Sequence, residues 1–339
     1  MSRSHELRVV EVVKETADAH SVTFDAPPGS DFAFRPGQFL TLAVPSDRTG
    51  LVARSYSLSS SPHEGRLTVT VKRTAGCYAS NWICDELREG STIRSLQPSG
   101  VFTPASLDAD LLLLAAGSGI TPLMSIARTA LAHGTGRVVL FYANRDEASV
   151  IFARDLAALA VEHPGRLQVV HWLESVQGLP SAAQLRAFAA PFTSYDAFVC
   201  GPAPFREAVV DVLEDLGLPR ERRHQETYVS LTGDPFGEVV AVAPPAGDGV
   251  RLEVELDGVV HAFDDWHRTT RLIEHLEAKG LDVPYSCRSG ECSSCAVRLL
   301  EGEVTMLSNE VLDDADLADG LRLACQSLPA TDVVRATYD

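Results

Sequence analysis

Four cysteines near the C-terminus constrain the fold of this chain more than any other feature. Cys287, Cys292 and Cys295 share one loop, with four and then two residues between them, and residues 296–324 separate the third from Cys325. Three cysteines in one loop with a distant fourth is the plant-type spacing for a [2Fe–2S] cluster. Such a cluster accepts one electron at a time, so the spacing predicts a protein that moves single electrons.

A zinc site is the alternative explanation of these cysteines. Zinc ribbons usually pair two short Cys-x-x-Cys knuckles, whereas here three cysteines crowd one loop. Gly290 and the serines beside it let the loop turn tightly and place hydrogen-bond donors near the sulfurs. The pattern therefore favours an iron–sulfur cluster, with all four cysteines as its ligands.

The chain is acidic, with a formal net charge of −17. Residues 248–339 hold 19 acidic and 8 basic side chains, so 8 − 19 = −11 of that charge lies in the C-terminal part. This balance argues against binding to nucleic acid or to an anionic membrane. It suits either the steering of a basic electron-transfer partner or plain solubility, and charge alone does not separate the two.

The sequence shows no sign of export or of a membrane span. Its first residues lead directly into a strand pattern without a signal-peptide core, and the apolar run at 111–116 is too short to cross a bilayer. Clustered cysteines in a chain of this length also suit a reducing compartment. We expect a cytoplasmic protein that works as a monomer, with neither membrane nor nucleic acid as a partner.

Short strands separated by turns fill the first hundred residues, which predicts a small antiparallel barrel. The expected strands lie at 6–13, 21–26, 38–44, 54–59 and 66–73, followed by a short helix at 80–87.

Residues 110–228 instead alternate apolar runs with amphipathic stretches, which predicts βαβ units and a parallel sheet. The expected strands lie at 111–116, 137–142, 167–173 and 195–200, and the expected helices at 122–132, 149–162, 182–189 and 205–216.

A third pattern begins after a stretch rich in Gly and Pro. It opens with a hairpin of two short strands, 251–256 and 259–263, around Asp257-Gly258, and a helix at 271–279 that ends at Gly280 precedes the cysteine loop. The chain then divides into a barrel at 1–105, an α/β domain at 106–232, a linker at 233–249 and a C-terminal domain at 250–339.

One loop of the α/β region has the chemistry of dinucleotide binding. Gly117, Ser118, Gly119 and Thr121 follow a buried strand and open a helix, where backbone N–H groups can approach a pyrophosphate. The full dinucleotide fingerprint is absent, because Pro122 stands where a third glycine would fall. An ordinary strand–turn–helix connection is the alternative.

A second loop, Cys200-Gly201-Pro202, ends another buried strand. Ligands of open α/β sheets bind beyond the carboxyl ends of the strands, so Cys200 is expected to face the same crevice as the glycine-rich loop. The alternative is a buried cysteine that packs as a small apolar residue.

The barrel carries the run Arg54-Ser55-Tyr56-Ser57 on a predicted strand. An arginine can bind a phosphate, an aromatic ring can stack on a flat ring, and a serine can bond to a ring nitrogen. Taken alone, the motif fits ordinary strand residues equally well.

In this order, the sites resemble those of the ferredoxin–NADP reductase superfamily, and in particular its fused reductases. The resemblance covers essentially the whole chain. It implies a multidomain fold with an antiparallel β-barrel for FAD, an α/β parallel-sheet domain for NAD and an α+β β-grasp ferredoxin domain for the [2Fe–2S] cluster. A flavin there takes two electrons from the nicotinamide and releases them singly.

The resemblance assigns flavin-binding roles to residues of the barrel. Arg54 would contact the FAD phosphates, Tyr56 would stack on the isoalloxazine ring and Ser57 would approach its N5 atom, with Ser55 beside them. A second flavin segment of the family, in which Ser80 and nearby backbone hold the pyrophosphate, matches Val71, Lys72, Gly76 and Ser80.

The resemblance also assigns roles in the NAD domain. Thr121 would lie near the flavin and Cys200 beside the nicotinamide, so that both join Ser57 around the site of hydride transfer. The remaining residues that match the family's dinucleotide-binding positions or the end of its NAD domain are Gly117, Ser118, Gly119, Gly201, Pro202, Glu226 and Tyr228.

The residues themselves do not decide between NADH and NADPH. Asn144 and Arg145 follow the second strand of the NAD domain, where an arginine can take the 2′-phosphate of NADPH and an acidic residue would favour NADH. Oxygenase reductases of this type mostly use NADH, so the resemblance implies NADH in preference to NADPH.

Finer motifs are similar to the reductase components of actinobacterial 3-ketosteroid 9α-hydroxylases, which are two-component Rieske oxygenases. The similarity implies that electrons pass from NADH through FAD and the cluster to the Rieske centre of a separate oxygenase, which is met transiently. Two alternatives stay open: the reductase of a phenylacetyl-CoA epoxidase, and a non-catalytic electron-transfer or redox-sensing subunit. The motifs are the runs 142–146, 150–152, 171–180 and 198–205.

Overall fold

The computed structural model describes residues 4–26, 32–237 and 249–338. The described residues form a six-stranded antiparallel sheet, a five-stranded parallel sheet and a five-stranded mixed sheet, with a two-stranded ribbon beside the last. The predicted fold class is therefore confirmed. Most of the expected linker, residues 238–248, lies outside the described residues.

The N-terminal sheet closes into a barrel. Its strand order is β4-β3-β6-β1-β2-β5, and a bridge between Leu58 and Val69 joins the two outer strands. The sequence pattern does not predict β6, because Ile93 is its only apolar side chain. The elements are β1 (His5–Lys14), β2 (Ala19–Asp25), β3 (Phe39–Ser46), β4 (Gly50–Ser57), β5 (Leu67–Lys72), α1 (Tyr78–Glu86) and β6 (Thr92–Ser95).

The parallel sheet has the order β11-β10-β7-β8-β9, with helices that pack on both of its faces. The strand order reverses between β7 and β10, and open α/β sheets bind ligands at such a point. The elements are β7 (Leu111–Ala116), α2 (Ile120–His133), β8 (Val138–Asn144), α3 (Ala153–Glu162), β9 (Leu167–Leu173), α4 (Glu174–Gln177), α5 (Ala182–Ala189), β10 (Asp196–Cys200), α6 (Ala203–Asp215) and β11 (Arg223–Glu226).

Two features of this sheet differ from the predicted pattern. The helix expected at 149–162 begins only at Ala153, because Phe152 adopts a left-handed backbone (φ 59°) and Asp146 caps a separate short turn. The pattern does not predict strand β11, since its four residues are all polar. The strand forms because its backbone pairs with β10 at the sheet edge.

The C-terminal sheet has the order β13-β12-β18-β14-β16, in which β12 and β18 run parallel. The predicted hairpin turn is present, with positive φ at Asp257 (52°) and Gly258 (72°). The elements are β12 (Gly249–Leu256), β13 (Val259–His267), α7 (Leu272–Ala278), β14 (Ala296–Glu301), β15 (Val304–Met306), α8 (Asp314–Ala318), β16 (Leu321–Leu323), β17 (Ser327–Pro329) and β18 (Val333–Thr337).

Across the described parts of the chain, none of the helices combines the length and the apolar character that a bilayer crossing requires.

Candidate functional site

A cleft of about 1010 Å³ lies where the three sheets meet. It is lined by Ser57 at the end of β4, by Glu226 and Tyr228 at the end of the parallel sheet, and by Cys292 of the cysteine loop. One continuous space thus connects the barrel motif with the cysteine loop.

Four of the predicted site residues form a hydrogen-bonded group in this cleft. The Ser57 hydroxyl donates to Glu226 Oε2 at 3.1 Å and lies 3.4 Å from the Tyr228 hydroxyl. The Tyr228 hydroxyl also lies 3.0 Å from Thr121 Oγ1. Cys200 pairs with Glu226 across β10 and β11, so the structure brings all five residues together.

Burial sets the protonation states of this group. It raises the pKa of the Cys200 thiol far above its usual range and the pKa of Glu226 to about 8. Tyr228 as a whole is 48% exposed, but its hydroxyl points inward to Ser57 and Thr121, and burial of that hydroxyl raises its pKa. At neutral pH all three side chains are therefore mainly uncharged.

The glycine-rich loop forms one short turn, Gly117–Gly119, before α2. A Cβ atom at Gly119 would lie 2.1 Å from the Cys200 carbonyl oxygen, so only glycine lets the ends of β7 and β10 approach this closely. Gly117 has a φ of 54°, and a Cβ atom there would meet nothing within 4 Å, which leaves its backbone open to a ligand. Tyr142 donates to the Gly117 carbonyl and fixes the turn.

The remaining predicted residues of the dinucleotide site lie around this turn. Ser118 accepts a hydrogen bond from Thr121 Oγ1 at 3.1 Å through its carbonyl oxygen. Gly201 and Pro202 connect β10 to α6, whose N-cap is Pro202. These placements fit a dinucleotide that lies across the switch point of the sheet.

The flavin motif lies on β4 and faces both neighbouring domains. Arg54 Nη1 donates to the Leu231 carbonyl at 3.0 Å, while its buried Nε has no partner among the described residues. Ser55 Oγ lies 3.0 Å from Thr41 Oγ1. Tyr56 packs against the barrel core, and burial raises the pKa of its hydroxyl. The free Arg54 donor fits an anionic cofactor group.

The residues of the second flavin segment differ in which of their groups can reach a ligand. The Val71 side chain lies in the barrel core, so only its backbone can reach a ligand. Ser80 Oγ accepts a hydrogen bond from the Thr74 N–H at 3.2 Å and closes the turn before α1. Gly76 lies in that turn with a φ of 74° and open space around it.

Asn144 and Arg145 lie at the end of β8. Asn144 is buried, whereas the Arg145 side chain is 67% exposed. Arg145 Nη2 is 3.1 Å from Asp18 Oδ2, and Lys72 Nζ is 3.8 Å from the same oxygen. The predicted phosphate-binding arginine is therefore paired with a carboxylate of the barrel.

The four predicted cluster ligands come together in the C-terminal domain. The Cys287 thiol contacts those of Cys292 and Cys325, and Cys325 also contacts Cys295. In the described residues, no three His, Cys, Asp or Glu side chains surround a point that could hold a single metal ion. The thiols thus form one chain of contacts, in the order Cys292, Cys287, Cys325 and Cys295, which brings all four predicted ligands together, and the spacing of the cysteines favours a two-iron cluster over the zinc alternative.

Backbone donors in the loop also fit an anionic cluster. The Cys287 sulfur accepts the N–H groups of Ser289 at 3.4 Å and of Glu291 at 3.2 Å. Such donors stabilise thiolate and cluster sulfur.

Gly290 is needed for the path of this loop. Its φ is 84°, and a Cβ atom there would lie 2.9 Å from the Ser308 carbonyl oxygen. Arg288 (φ 57°) and Ser293 (φ 52°) also adopt left-handed backbone conformations. The loop therefore turns sharply around the thiols, as the sequence predicts.

Sequence reasoning missed the residues that connect the domains at this cleft. Thr41 Oγ1 lies 2.6 Å from Ser286 Oγ, and Thr232 donates twice to the Glu291 carboxylate. Thr41 lies 245 residues from Ser286 along the chain, and Thr232 lies 59 residues from Glu291. No local sequence pattern could indicate contacts at such separations. Only Glu291, a charged residue between two predicted cluster ligands, could have been noticed.

Family models match most of the chain. Residues 6–103 match an oxidoreductase FAD-binding domain, residues 113–211 an oxidoreductase NAD-binding domain, and residues 254–330 a 2Fe-2S iron-sulfur cluster binding domain. The predicted cofactor domains are thus confirmed for FAD, NAD and the [2Fe–2S] cluster.

Curated relatives match nearly the full length. The chain is 54% identical to the 3-ketosteroid-9-alpha-monooxygenase ferredoxin reductase component of Rhodococcus rhodochrous, over 99% of this chain and 97% of the relative. It is 55% identical to the protein of the same name in Mycolicibacterium smegmatis, over 98% and 97%. It is 33% identical to one component of the 1,2-phenylacetyl-CoA epoxidase of Escherichia coli, over 100% and 99%.

A solved structure shares the whole architecture. Phthalate dioxygenase reductase superposes with a TM-score of 0.59 at 24% identity and covers 98% of each chain, which supports the fold alone. With the family models and relatives, this confirms the predicted resemblance. The chain is an oxidoreductase and belongs to the family of FAD- and NAD-binding ferredoxin reductases with a [2Fe–2S] domain, together with the 3-ketosteroid-9-alpha-monooxygenase reductase components.

Proposed function

We propose that this protein is an NADH-dependent reductase that passes electrons through FAD and a [2Fe–2S] cluster to the Rieske centre of a 3-ketosteroid 9α-monooxygenase. The observation that carries the proposal is the single cleft that runs from Ser57 to Cys292. The steroid acceptor is supported by relatives 54–55% identical, against 33% for the epoxidase component.

The barrel would hold the flavin between its motif and the parallel sheet. The Nε of Arg54, which has no partner among the described residues, supplies a donor for a phosphate, and Tyr56 supplies a ring for stacking. When bound, FAD accepts two electrons from a nicotinamide and delivers them one at a time. Lys72, Gly76 and Ser80 lie on the segment that would follow the rest of the cofactor.

The residues around Ser57 would orient the nicotinamide against the flavin. The Thr121 and Tyr228 hydroxyls fix each other at 3.0 Å, and the fully buried Cys200 thiol lies beside the Tyr228 hydroxyl. Because burial keeps the Cys200 thiol protonated, it acts through its shape and not as a nucleophile. Glu226 holds its proton at neutral pH and bonds to Ser57, so no buried charge opposes an anionic cofactor.

The four cysteines would hold the cluster between the cleft and the core of the C-terminal domain. Cys287 and Cys292 lie in the loop that faces the cleft, and Cys295 lies with Cys325 toward the core of the C-terminal domain. The loop N–H groups that point to Cys287 would set the cluster's potential. The acidic C-terminal domain suits a transient, salt-sensitive encounter with the oxygenase.

NADH is the preferred nucleotide in this proposal. The guanidinium of Arg145 is already paired with Asp18, and a 2′-phosphate would meet that carboxylate. Like charges at such a distance repel. Comparing initial rates with NADH and NADPH checks this preference, and faster turnover with NADPH would overturn it.

Reconstitution with purified oxygenases tests the acceptor. The purified protein is supplied with NADH and with either a 3-ketosteroid oxygenase and its steroid or an aryl-CoA epoxidase and its thioester. We expect product with the steroid system and little with the other. Efficient coupling to the epoxidase alone would overturn the steroid assignment, and failure to oxidise NADH at full FAD and cluster occupancy would support the sensor alternative.

A further inference from the structure

Two short links connect the flavin motif to the cysteine loop, one made of hydrogen bonds alone and one that includes the peptide bond between Leu231 and Thr232. They begin at neighbouring residues of β4, Arg54 and Ser55, and each ends beside a cluster cysteine. We propose that these links dock the cysteine loop on the flavin site, with Thr41, Thr232 and Glu291 as positioning residues for electron transfer. The inference rests on the proposed function, because it requires FAD at one end and the cluster at the other.

The first link is made of hydroxyl groups. Ser55 Oγ lies 3.0 Å from Thr41 Oγ1, which lies 2.6 Å from Ser286 Oγ. Ser286 directly precedes Cys287, and both Thr41 and Ser286 are almost completely buried. Because a buried hydroxyl group is costly without a partner, this hydrogen bond from the barrel stabilises the Ser286 hydroxyl, whereas Thr41 also has Ser55 beside it.

The second link runs through the segment that follows β11. Arg54 donates to the carbonyl of Leu231, and the next residue, Thr232, contacts the cysteine loop. Its N–H donates to Glu291 Oε2 at 3.0 Å, and its hydroxyl donates to Oε1 at 2.7 Å. Glu291 directly precedes Cys292, so this contact also reaches a predicted ligand.

Because Glu291 is buried, its carboxylate requires the hydrogen bonds of this contact. The residue is only 8% exposed, and Ser289 Oγ donates to the same carboxylate at 2.7 Å. A buried carboxylate needs its hydrogen bonds, because without them the free-energy cost of removing the charge from water is not offset. Two of its three donors come from Thr232, which lies outside the C-terminal domain.

Apolar packing fills the space between the two links. Leu231 and Phe236 share a buried cluster with Ala43 and Ala53 of the barrel and with Cys287. Residues 229–236 therefore lie as a strap between the barrel and the cysteine loop. The strap is held by the barrel on one side and by Glu291 on the other.

Positioning of this kind matters because electron transfer slows steeply as the separation of donor and acceptor grows. A small displacement of a reacting group can cost orders of magnitude in rate. Loosening either link should slow cluster reduction, while the arrival of hydride from NADH at the flavin is unaffected.

The test compares Thr232→Val with Thr232→Ser, which keeps the hydroxyl, and with Thr305→Val, an exposed threonine of β15. Each protein is mixed rapidly with NADH without oxygen, and flavin and cluster reduction are followed separately by absorbance and by electron paramagnetic resonance. We expect Thr232→Val to slow cluster reduction about tenfold or more, with flavin reduction unchanged. Thr232→Ser and Thr305→Val should behave as the wild type.

Hydrogen–deuterium exchange provides a readout that does not depend on turnover. The amides of residues 285–292 should exchange faster in Thr232→Val and in Thr41→Val than in the wild type. Thr232→Ser and Thr305→Val should leave exchange unchanged. A variant of the first link thus tests the same docking independently of Thr232.

Several outcomes would overturn the docking proposal. They are wild-type cluster reduction in Thr232→Val, no rescue by Thr232→Ser, equal slowing of flavin and cluster reduction, or loss of the cluster itself from Thr232→Val. If NADH fails to reduce the flavin of the wild type, the proposed function fails, and the exchange measurement still decides whether the links dock the loop.

Discussion

At the scale of single residues, Glu226 combines a buried carboxyl group with a contact to the flavin motif. Its raised pKa, about 8, means that the folded protein binds this proton more tightly than the unfolded chain does. Stability from the neutral form is therefore lost as pH rises from about 4 to about 8. Above about pH 8 the carboxylate is ionised in the folded protein, and its burial lowers the free energy of unfolding by a constant amount.

Glu226→Gln removes this titration. We expect the melting temperature of the variant, relative to that of the wild type, to increase as the pH rises from about 5 to about 8. Above about pH 8 this difference should stay constant. Scanning calorimetry across pH measures it, with the exposed Glu207→Gln as the control. A difference that does not change with pH would contradict the buried, neutral carboxyl group.

Asp18 lies on the turn between β1 and β2, where Thr16 Oγ1 holds its carboxylate at 2.8 Å. Asp18→Asn should free the Arg145 guanidinium for a 2′-phosphate and raise kcat/KM for NADPH relative to NADH. An exposed pair of this kind is worth up to about 1 kcal/mol, so the expected gain is about two- to fivefold. Asp25→Asn is the matched control, and an unchanged ratio would exclude Asp18 from nucleotide selection.

At the scale of elements, the cysteine loop depends on one glycine. Gly290→Ala would place a Cβ 2.9 Å from the Ser308 carbonyl at a φ of 84°. Gly280→Ala has nearly the same φ, 80°, but no neighbour in the way. We expect clearly lower iron content per protein in Gly290→Ala and normal content in Gly280→Ala. Equal content in both would show that the loop tolerates the side chain.

Elements differ in how far the sequence predicts them. Strand β7 and helix α5 have the predicted bounds, because a strand buried on both faces is continuously apolar and Ser181 with Gln184 forms a capping box. Strands β6 and β11 have no such pattern, since backbone pairing at neighbouring strands is what stabilises them. Side-chain pattern alone carries no information about that pairing.

The same limit applies to the site. The cysteine spacing and the loop glycines reflect local chain geometry, so the sequence could predict that the four cysteines come together around one loop. Thr41, Thr232 and Asp18 act through partners in other domains. Their roles depend on how the domains pack, which no motif records.

At the scale of the whole molecule, an exposed ion-pair group joins the NAD and ferredoxin domains. Arg220 bonds to Asp313 at 2.8 and 3.0 Å and to Asp316 at 2.6 Å. Hydrogen bonding to Asp313 raises the pKa of the guanidinium, which stays charged throughout. Such exposed pairs contribute little stability and weaken in salt.

Arg220→Ala should therefore lower electron output modestly at low salt, about two- to fivefold, and flatten its dependence on ionic strength. Arg186→Ala, which breaks an exposed pair with Asp215 inside the NAD domain, is the matched control. Output is measured as oxygenase-coupled NADH oxidation across a salt series. A salt response in Arg220→Ala equal to that of the wild type would show that this pair does not orient the domain.

The central claim for the whole molecule is that the cluster is the exit of one relay that begins at the nicotinamide. Cys325→Ser tests it most directly, because Cys325 is fully buried in the C-terminal core, away from the barrel and the NAD domain. The measurement is flavin reduction by NADH and product formation by the coupled oxygenase in the same preparation. We predict flavin reduction at the wild-type rate with no product, and product at the wild-type rate would contradict the relay.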